Sequence, residues 1–238
     1  MGIIVIKAKR FWKTVSVAEL ENGFGILLDA RNLMTPLKSK LIVPTKALAE
    51  QIAEEWRAVE GEINPELLPM TKRANSAIER VGTLREDVTS HLLDYVDSDL
   101  ICYRAEEPKS LVHAQTAWDK WVEWAKGFDI DLIVTKGIMP VEQPASNRAA
   151  AEKWLSKWSD FEFTGVYDFI TLNGSFILGM ALAEKEFSTI DCFKLSIVDE
   201  LFQESFWGID EDALELREGK QKELEQSNRF FELTCLIE

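Results

Sequence analysis

The stretch "KLIVPTKALAEQIAEEW", Lys40 to Trp56, changes its hydrophobic period halfway along, and that change decides the fold class. Up to Pro44 it is a short, β-branched apolar run closed by a proline, which reads as a strand. From Thr45 onward the apolar residues Leu48, Ile52, Ala53 and Trp56 fall on one stripe of a helix running to about Val59. Thr45 suits the N-cap, because its hydroxyl can accept from an unpaired amide of the first turn.

Toward the N-terminus the pattern is β. "KTVSVAEL" (Lys13 to Leu20) alternates, with Val15 and Val17 on one face, and Asn22-Gly23 is a turn signal that makes "FGILLD" (Phe24 to Asp29) a hairpin partner. "ARNL" reads as a second turn, before the strand that ends at Pro44. Toward the C-terminus, a loop with Gly61, Pro65 and Pro69 precedes helices in "TKRANSAIERV" (Thr71 to Val81) and "LREDVTSHLLDYV" (Leu84 to Val96). "DLICYR" (Asp99 to Arg104) reads as a short strand, with Leu100 and Cys102 on one face and Ile101 and Tyr103 on the other. Arg104 then meets a carboxylate or a backbone carbonyl, and Pro108 starts the next helix. Beyond it the pattern predicts helices over 110–127, 146–158, 163–172, 175–186, 188–207 and 211–236, with one apolar run, "DLIVT" (Asp131 to Thr135), as a strand. The expected architecture is α+β: a small β-containing N-terminal domain, residues 1–105, followed by a mainly helical C-terminal domain, residues 106–238.

At 238 residues, with 46% hydrophobic and 29% charged side chains, the chain is long enough to bury a sizeable core. Its net charge of −14 disfavours nucleic acid or an anionic membrane as the main partner. No run reaches the roughly 18 apolar residues that span a bilayer. The start, "MGIIVIKAKRFWK", is too short in its apolar part for a secretory signal and is unlike a Ser/Arg-rich presequence. Gly2 fits a myristoylation start, but position 6 is Ile where Ser or Thr is needed. Cys102, Cys192 and Cys235 are odd in number and far apart, which suits a reducing compartment. A cytoplasmic, bacterial setting is expected, or the mitochondrial matrix for a processed form.

Motifs for chemistry are sparse. His91 and His113 have no ligand beside them at metal spacing, and no C-x-x-C occurs. The acidic stretch from Asp210 is no calcium loop, since Leu214 and Glu215 hold the places of an oxygen ligand and of Gly. Gly23-Phe24-Gly25 lacks the third glycine of a dinucleotide fingerprint, and "NGSFILG" lacks the glycine of a nucleophile elbow. The acid pairs Glu54/Glu55, Glu106/Glu107 and Asp199/Glu200 read as solvated surface in so acidic a chain. What is left for catalysis is Cys102, Tyr103 and Arg104, as a small-molecule enzyme would use them. A reactive cysteine needs a lowered pKa, whereas a buried structural one does not.

The helices carry a stronger pattern. Trp118, Trp121, Trp124 and Ala125 share a face, as do Trp154 and Trp158; this is core packing or an apolar groove for a partner chain. Asp199, Gln203 and Trp207 form a second stripe that Gly208 can end with a positive φ. This stripe is either a buried polar bridge between helices or a recognition surface continuing into Asp210-Glu211-Asp212.

Taken in order, "RFWKTVSV", "GFGILLDARNLMTP", "LIVPTKALAEQIAEEW", "LPMTKRANSAIERV", "DLICYRAEEP", "NGSFILGMAL" and "VDELFQESFWGIDEDA" resemble blocks of the ATP12 family, over roughly residues 10 to 233. These are assembly chaperones of the F1 sector of ATP synthase, found in mitochondria and alphaproteobacteria. The resemblance implies a β-containing N-terminal domain and a helical C-terminal one. It also implies binding of the unassembled F1 α subunit, whose subunit-contact surface is shielded until the β subunit replaces the chaperone. It implies no nucleotide hydrolysis and no cofactor, and a monomer is expected. Asp199, Glu200, Gln203, Trp207 and Gly208 match the family's helix-ending motif, and Asp212 stands where the family has a functionally sensitive Glu. Asp199, Glu200, Gln203, Trp207, Asp210 and Asp212 are therefore the expected client-binding residues. Ile209 departs from an often acidic position, Lys72 stands where Arg is common, and Arg73 stands where an apolar residue is. Gly174 and Ser175 match, with close helix packing as their expected role. A general holdase without a preferred client is the remaining alternative.

Overall fold

The computed structural model describes residues 9–137 and 139–235; Gly2 and the residues beside it lie outside this range. The fold is α+β, with N-terminal strands followed by helices. The described residues fall into two compact units. One contains residues up to Thr83, together with Asp160–Thr164 and those from Arg229 on; the other contains Leu84–Ser159 and Gly165–Asn228.

In the first unit, β1 (Val15–Leu20) and β2 (Gly23–Leu28) form the expected hairpin. Leu20 pairs with Gly23, so Glu21 and Asn22 make the turn. Along the other edge of β2 run β3 (Arg31–Asn32) and β4 (Ile42–Val43), both antiparallel. Helix α1 (Lys46–Ala58) then lies on this sheet and buries Leu48, Ala49, Ile52, Ala53 and Trp56, the stripe read from the sequence. Each large apolar side chain so buried contributes roughly 1.5–3 kcal/mol. Thr45 caps α1 by accepting from the Leu48 amide at 3.2 Å, and its hydroxyl donates to the Leu233 carbonyl at 2.6 Å. That second bond ties the start of α1 to the chain's C-terminal region, whose Phe230 and Leu233 enter the same core.

Glu55 departs from the solvated-surface reading. It is half-buried and accepts from the Met70 and Thr71 amides (2.6 and 2.9 Å) and the Thr71 hydroxyl (2.7 Å) at the start of α2 (Pro69–Ser76). Burial raises its pKa, opposed by these hydrogen bonds. Helix α2 continues through a π-helical turn over Ala77–Val81.

The second unit begins with α3 (Arg85–Asp97). "DLICYR" is not a strand throughout: Leu100–Cys102 is a 3₁₀ turn, and only β5 (Tyr103–Arg104) is extended. The turn buries the consecutive residues Ile101 and Cys102, which an alternating strand would have put on opposite faces. Pro108 precedes α4 (Lys109–Ala114), and a 3₁₀ turn over Gln115–Trp118 joins it to α5 (Asp119–Ala125). In "DLIVT" only Thr135 lies in a strand, β6 (Thr135–Lys136), parallel to β5. Before it, side chains replace the missing neighbour strand. Asn147 exchanges two 2.9 Å bonds with the Asp131 backbone, and Gln143 does the same with Ile133. Both carboxamides are buried, so these backbone groups need such partners.

The remaining helices are α6 (Ala145–Leu155), α7 (Asp160–Asn173), α8 (Phe176–Ala183), α9 (Thr189–Ser196), α10 (Val198–Trp207) and α11 (Glu211–Thr234). The helix expected over 188–207 is thus broken at Ile197. Trp118, Trp121, Ala125 and Trp154 are buried in the core, while Trp124 and Trp158 are half-buried. Trp118 donates from its indole to the Leu195 carbonyl at 2.8 Å.

Every residue of α8 is buried, as expected of a helix apolar on all sides. Its N-terminal amides therefore need internal acceptors. Ser175 caps it by accepting from Leu178 at 3.0 Å, while Asp99, wholly buried, accepts from Ile177 at 3.0 Å and from Ile101 at 3.1 Å. The close approach expected at Gly174 is not found there, while Ser175 is wholly buried as the cap of α8. Gly174 adopts φ 64° with open space around it, whereas a Cβ on Gly179 would lie 2.7 Å from the Ile170 backbone nitrogen.

Two predictions follow from this core. Gly179→Ala should lower stability by about 1–3 kcal/mol, read as a shift in the urea midpoint at unchanged slope, because backbone cannot move aside as a side-chain tip can. An unchanged midpoint would refute the close approach. Burial raises the Asp99 pKa to about 6, against the opposing pull of its hydrogen bonds from Ser175 and the backbone. The folded chain thus keeps a proton that the unfolded chain releases near pH 4, and stability from this group falls as pH rises from about 4 to 6. Across that window Asp99→Asn should gain on the parent protein by roughly 3 kcal/mol, whatever its constant offset. A pH-independent difference between the two would count against the buried, reluctant carboxylate.

Candidate functional site

Helix α10 buries none of its residues. It ends in two adjacent aromatics, Phe206 at 70% and Trp207 at 81% exposure, with Ile209 at 67% just beyond. Leu216, on the following helix, is 70% exposed. Three of these four lie within residues 206–209, and large apolar side chains at such exposure make this segment a candidate interaction surface.

The corner itself is built locally. Gly208 ends α10 at φ 87°, ψ 176°, a conformation open to glycine, and its amide bonds the Glu204 carbonyl at 2.9 Å. Asp210 then caps α11 by accepting from the Asp212 and Ala213 amides at 3.0 and 3.2 Å. Glu211 and Asp212 occupy the first turn of α11, where negative charge is favoured by the helix dipole. Across the turn, Arg217 pairs with Glu204 at 2.5 Å, linking α11 to α10. Between them lies a cleft of about 310 Å³, lined by Glu200, Gln203, Trp207, Asp210 and Ala213 around that ion pair.

The stripe Asp199, Gln203 and Trp207 divides along its length, with a hydrogen-bonded end and an exposed one. Asp199 is the polar bridge: it accepts from Gln115 Nε2 at 2.7 Å. Gln115 is buried, and its Oε1 accepts from the Ala105 amide at 2.7 Å. Arg104 reaches the Gln115 carbonyl at 2.6 Å and the Asp119 carboxylate at 2.9 Å. Gln203 and Trp207, one and two turns on, are exposed. Glu200, Gln203, Trp207 and Asp210 therefore come together on the cleft, Asp212 stands exposed beside it, and Asp199 sits in the base. The sequence pattern did not single out Phe206 or Leu216, and marked Ile209 only as a departure from an acidic position. The local pattern held no signal for their exposure, since adjacent residues on one helix, such as Ile52 and Ala53, can both be buried.

Cys102, Tyr103 and Arg104 make a different arrangement from the enzyme alternative. The Cys102 thiol is fully buried, 3.7 Å from Gln143 Nε2. Burial first, and then the charge of Asp99, push its pKa up to about 12, with Arg104 pulling the other way. Such a thiol is protonated near neutrality and is a poor nucleophile. Arg104 is occupied by carbonyls and Asp119 and lies 5.2 Å over the Trp118 ring. Among the described residues no three His, Cys, Asp or Glu side chains are grouped to hold a metal ion. No helix among them is long and apolar enough to cross a membrane.

Comparison with known proteins gives a consistent match. The family model described as ATP12 chaperone protein matches residues 9–126. The crystal structure of Atp12 from Paracoccus denitrificans superposes with a TM-score of 0.91 at 39% identity, over 95% of this chain and 98% of that one. A protein from Agrobacterium tumefaciens, described as a candidate chaperone, gives 0.89 at 35% identity, over 94% and 85% of the two chains. The mitochondrial protein atp12 of Schizosaccharomyces pombe is 24% identical, over 87% of this chain and 76% of its own.

The thiols provide a check on the site. Cys102 and Cys192 are buried, so in the folded protein near pH 7.5 they should resist iodoacetamide, and Cys235 should react first. Both should label fully in denaturant. Rapid labelling of Cys102 in the native state would revive the enzyme alternative.

Proposed function

The chain belongs to the ATP12 family, and from that premise we propose that it is an assembly chaperone of ATP synthase whose client is the unassembled α subunit of F1. The observation that carries this reading is α10, a helix tethered at its base through Asp199 and unburied at its aromatic end. Phe206, Trp207, Ile209 and Leu216 supply apolar area, and Trp is the side chain most often found to dominate binding at protein interfaces. Glu200, Asp210 and Asp212 rim that area, giving specificity and keeping the free chaperone soluble. The client surface is assigned to the helical part of the chain, residues 106–238, with the β-led residues 1–105 as a separate domain.

The mechanism is physical. An α subunit made alone exposes the surface that later meets β, and such surface drives aggregation. A chaperone that covers it reversibly lowers the free concentration of the aggregating species. Release then needs only that β bury more surface or bind more tightly, so no nucleotide or cofactor is consumed. The working compartment is the one where F1 is built, the cytoplasm of a bacterium or the matrix of a mitochondrion.

Purified protein should suppress aggregation of isolated F1 α at a near-stoichiometric ratio and leave isolated β unaffected. Trp207→Ala should weaken α binding by about 2 kcal/mol, or some thirtyfold, without lowering the melting temperature, because the side chain is exposed. Asp212→Lys should weaken binding as well, and more so at low salt. Aggregation that proceeds unchanged with the protein present would sink the proposal. Equal protection of an unrelated aggregating protein in competition would favour a general holdase.

A further inference from the structure

A second apolar surface lies in the first unit, wholly within residues 34–75. Met34, Pro36, Trp56, Ile63, Pro65 and Leu68 line a cleft of about 440 Å³. Two large side chains next to these lining residues in the chain, Leu37 and Leu67, are 73% and 72% exposed. Neither belongs to the hydrophobic core of this unit, whose sheet and helix α1 are already covered.

The charge around this cleft is divided between its walls: the Ile63–Leu68 wall carries the exposed Glu62 and Glu66, and Glu79 accepts from the Leu37 amide at 2.6 Å. The whole chain is at −14, yet residues 30–46 contain Arg31, Lys38, Lys40 and Lys46 and no carboxylate. Lys38 and Lys40 belong to the loop that brings Met34 and Pro36 to the cleft, and Lys72 lines the cleft itself. All three lysines are exposed, and none takes an ion-pair partner among the described residues. The lysines make one wall of the cleft cationic while Glu62 and Glu66 keep the other acidic, so the lining complements a ligand that is apolar at its centre and anionic on the side facing Lys38, Lys40 and Lys72. Exposed leucines beside both lining segments favour a ligand that extends past the cleft over a compact molecule seated inside it.

We propose that this cleft binds an extended segment of another polypeptide, with apolar side chains between Met34, Trp56 and Leu68 and carboxylates against Lys72, Lys38 and Lys40. The site is separate from the acidic α10–α11 corner and selects the opposite charge. The Leu and Lys side chains give it two independent handles: apolar area sets residence time, and the lysines set charge preference and salt dependence.

Fluorescence anisotropy with two labelled synthetic peptides tests it, one alternating Leu and Glu and the other alternating Leu and Lys. The Leu/Glu peptide should bind, although the protein's net charge opposes it, and should weaken as salt is raised. Lys72→Glu and Leu67→Ser, both at exposed positions, should each weaken it about tenfold. Trp207→Ala should leave it unchanged, which keeps this result separate from the fate of the F1 α proposal. No binding of the Leu/Glu peptide, or binding indifferent to Lys72→Glu and Leu67→Ser, overturns the inference. A concentration-dependent dimer in sedimentation that Leu67→Ser abolishes also overturns it, by placing a second copy of this chain in the cleft.

Discussion

A carboxylate with no access to water organises the larger unit. Helix α8 is buried on every side, so its first-turn amides cannot be left to solvent, and Asp99 supplies one of the acceptors. The same carboxylate closes the 3₁₀ turn that follows it, through the Ile101 amide. Local turn and distant helix are thereby fixed to one another across 78 residues. The cost is desolvation, visible in the raised pKa, and it is offset by several hydrogen bonds that the charge strengthens.

The consequences run outward from there. The 3₁₀ turn sets where β5 begins, and β5 places Arg104 against the Gln115 carbonyl and Asp119. Gln115 in turn holds Asp199 at the base of α10. A chain of paired polar groups therefore leads from the buried core to the first turn of a helix that buries nothing itself. That arrangement resolves a physical difficulty of exposed binding surfaces. An unburied helix has little packing to hold its position, and an ill-placed one loses affinity to ordering when it binds. A base fixed by hydrogen bonds, with a glycine corner and the Arg217–Glu204 pair at the far end, presents Phe206 and Trp207 already positioned.

The two proposed surfaces share one design, exposed apolar side chains beside charged ones. At the α10–α11 corner, exposed aromatics lie among acids; at the cleft of the first unit, Leu37 lies beside Lys38 and Leu67 beside Glu66, with Lys72 in the lining. On the proposed readings, apolar area supplies attraction in both and the neighbouring charges limit what it attracts.

Much of the fold was legible because periodicity is a local property. The switch at Pro44 and Thr45, the stripe from Leu48 to Trp56, the hairpin around Asn22 and most of the C-terminal helices needed only neighbouring residues, and their composition and order sufficed for the family resemblance. Roles that depend on distant partners were not legible. Glu55 looked like half of a solvated acid pair and caps α2; Asn147 and Gln143 stand in for a strand; close packing belongs to Gly179 and not to Gly174. The candidate site shows the same division. Sequence alone put Asp199, Gln203 and Trp207 on one helical face, since that follows from 3.6 residues per turn. Only the tertiary structure decided that Asp199 is held by Gln115, 84 residues away in the chain, while Trp207 stands exposed, because burial is conferred by neighbours that the local pattern does not contain.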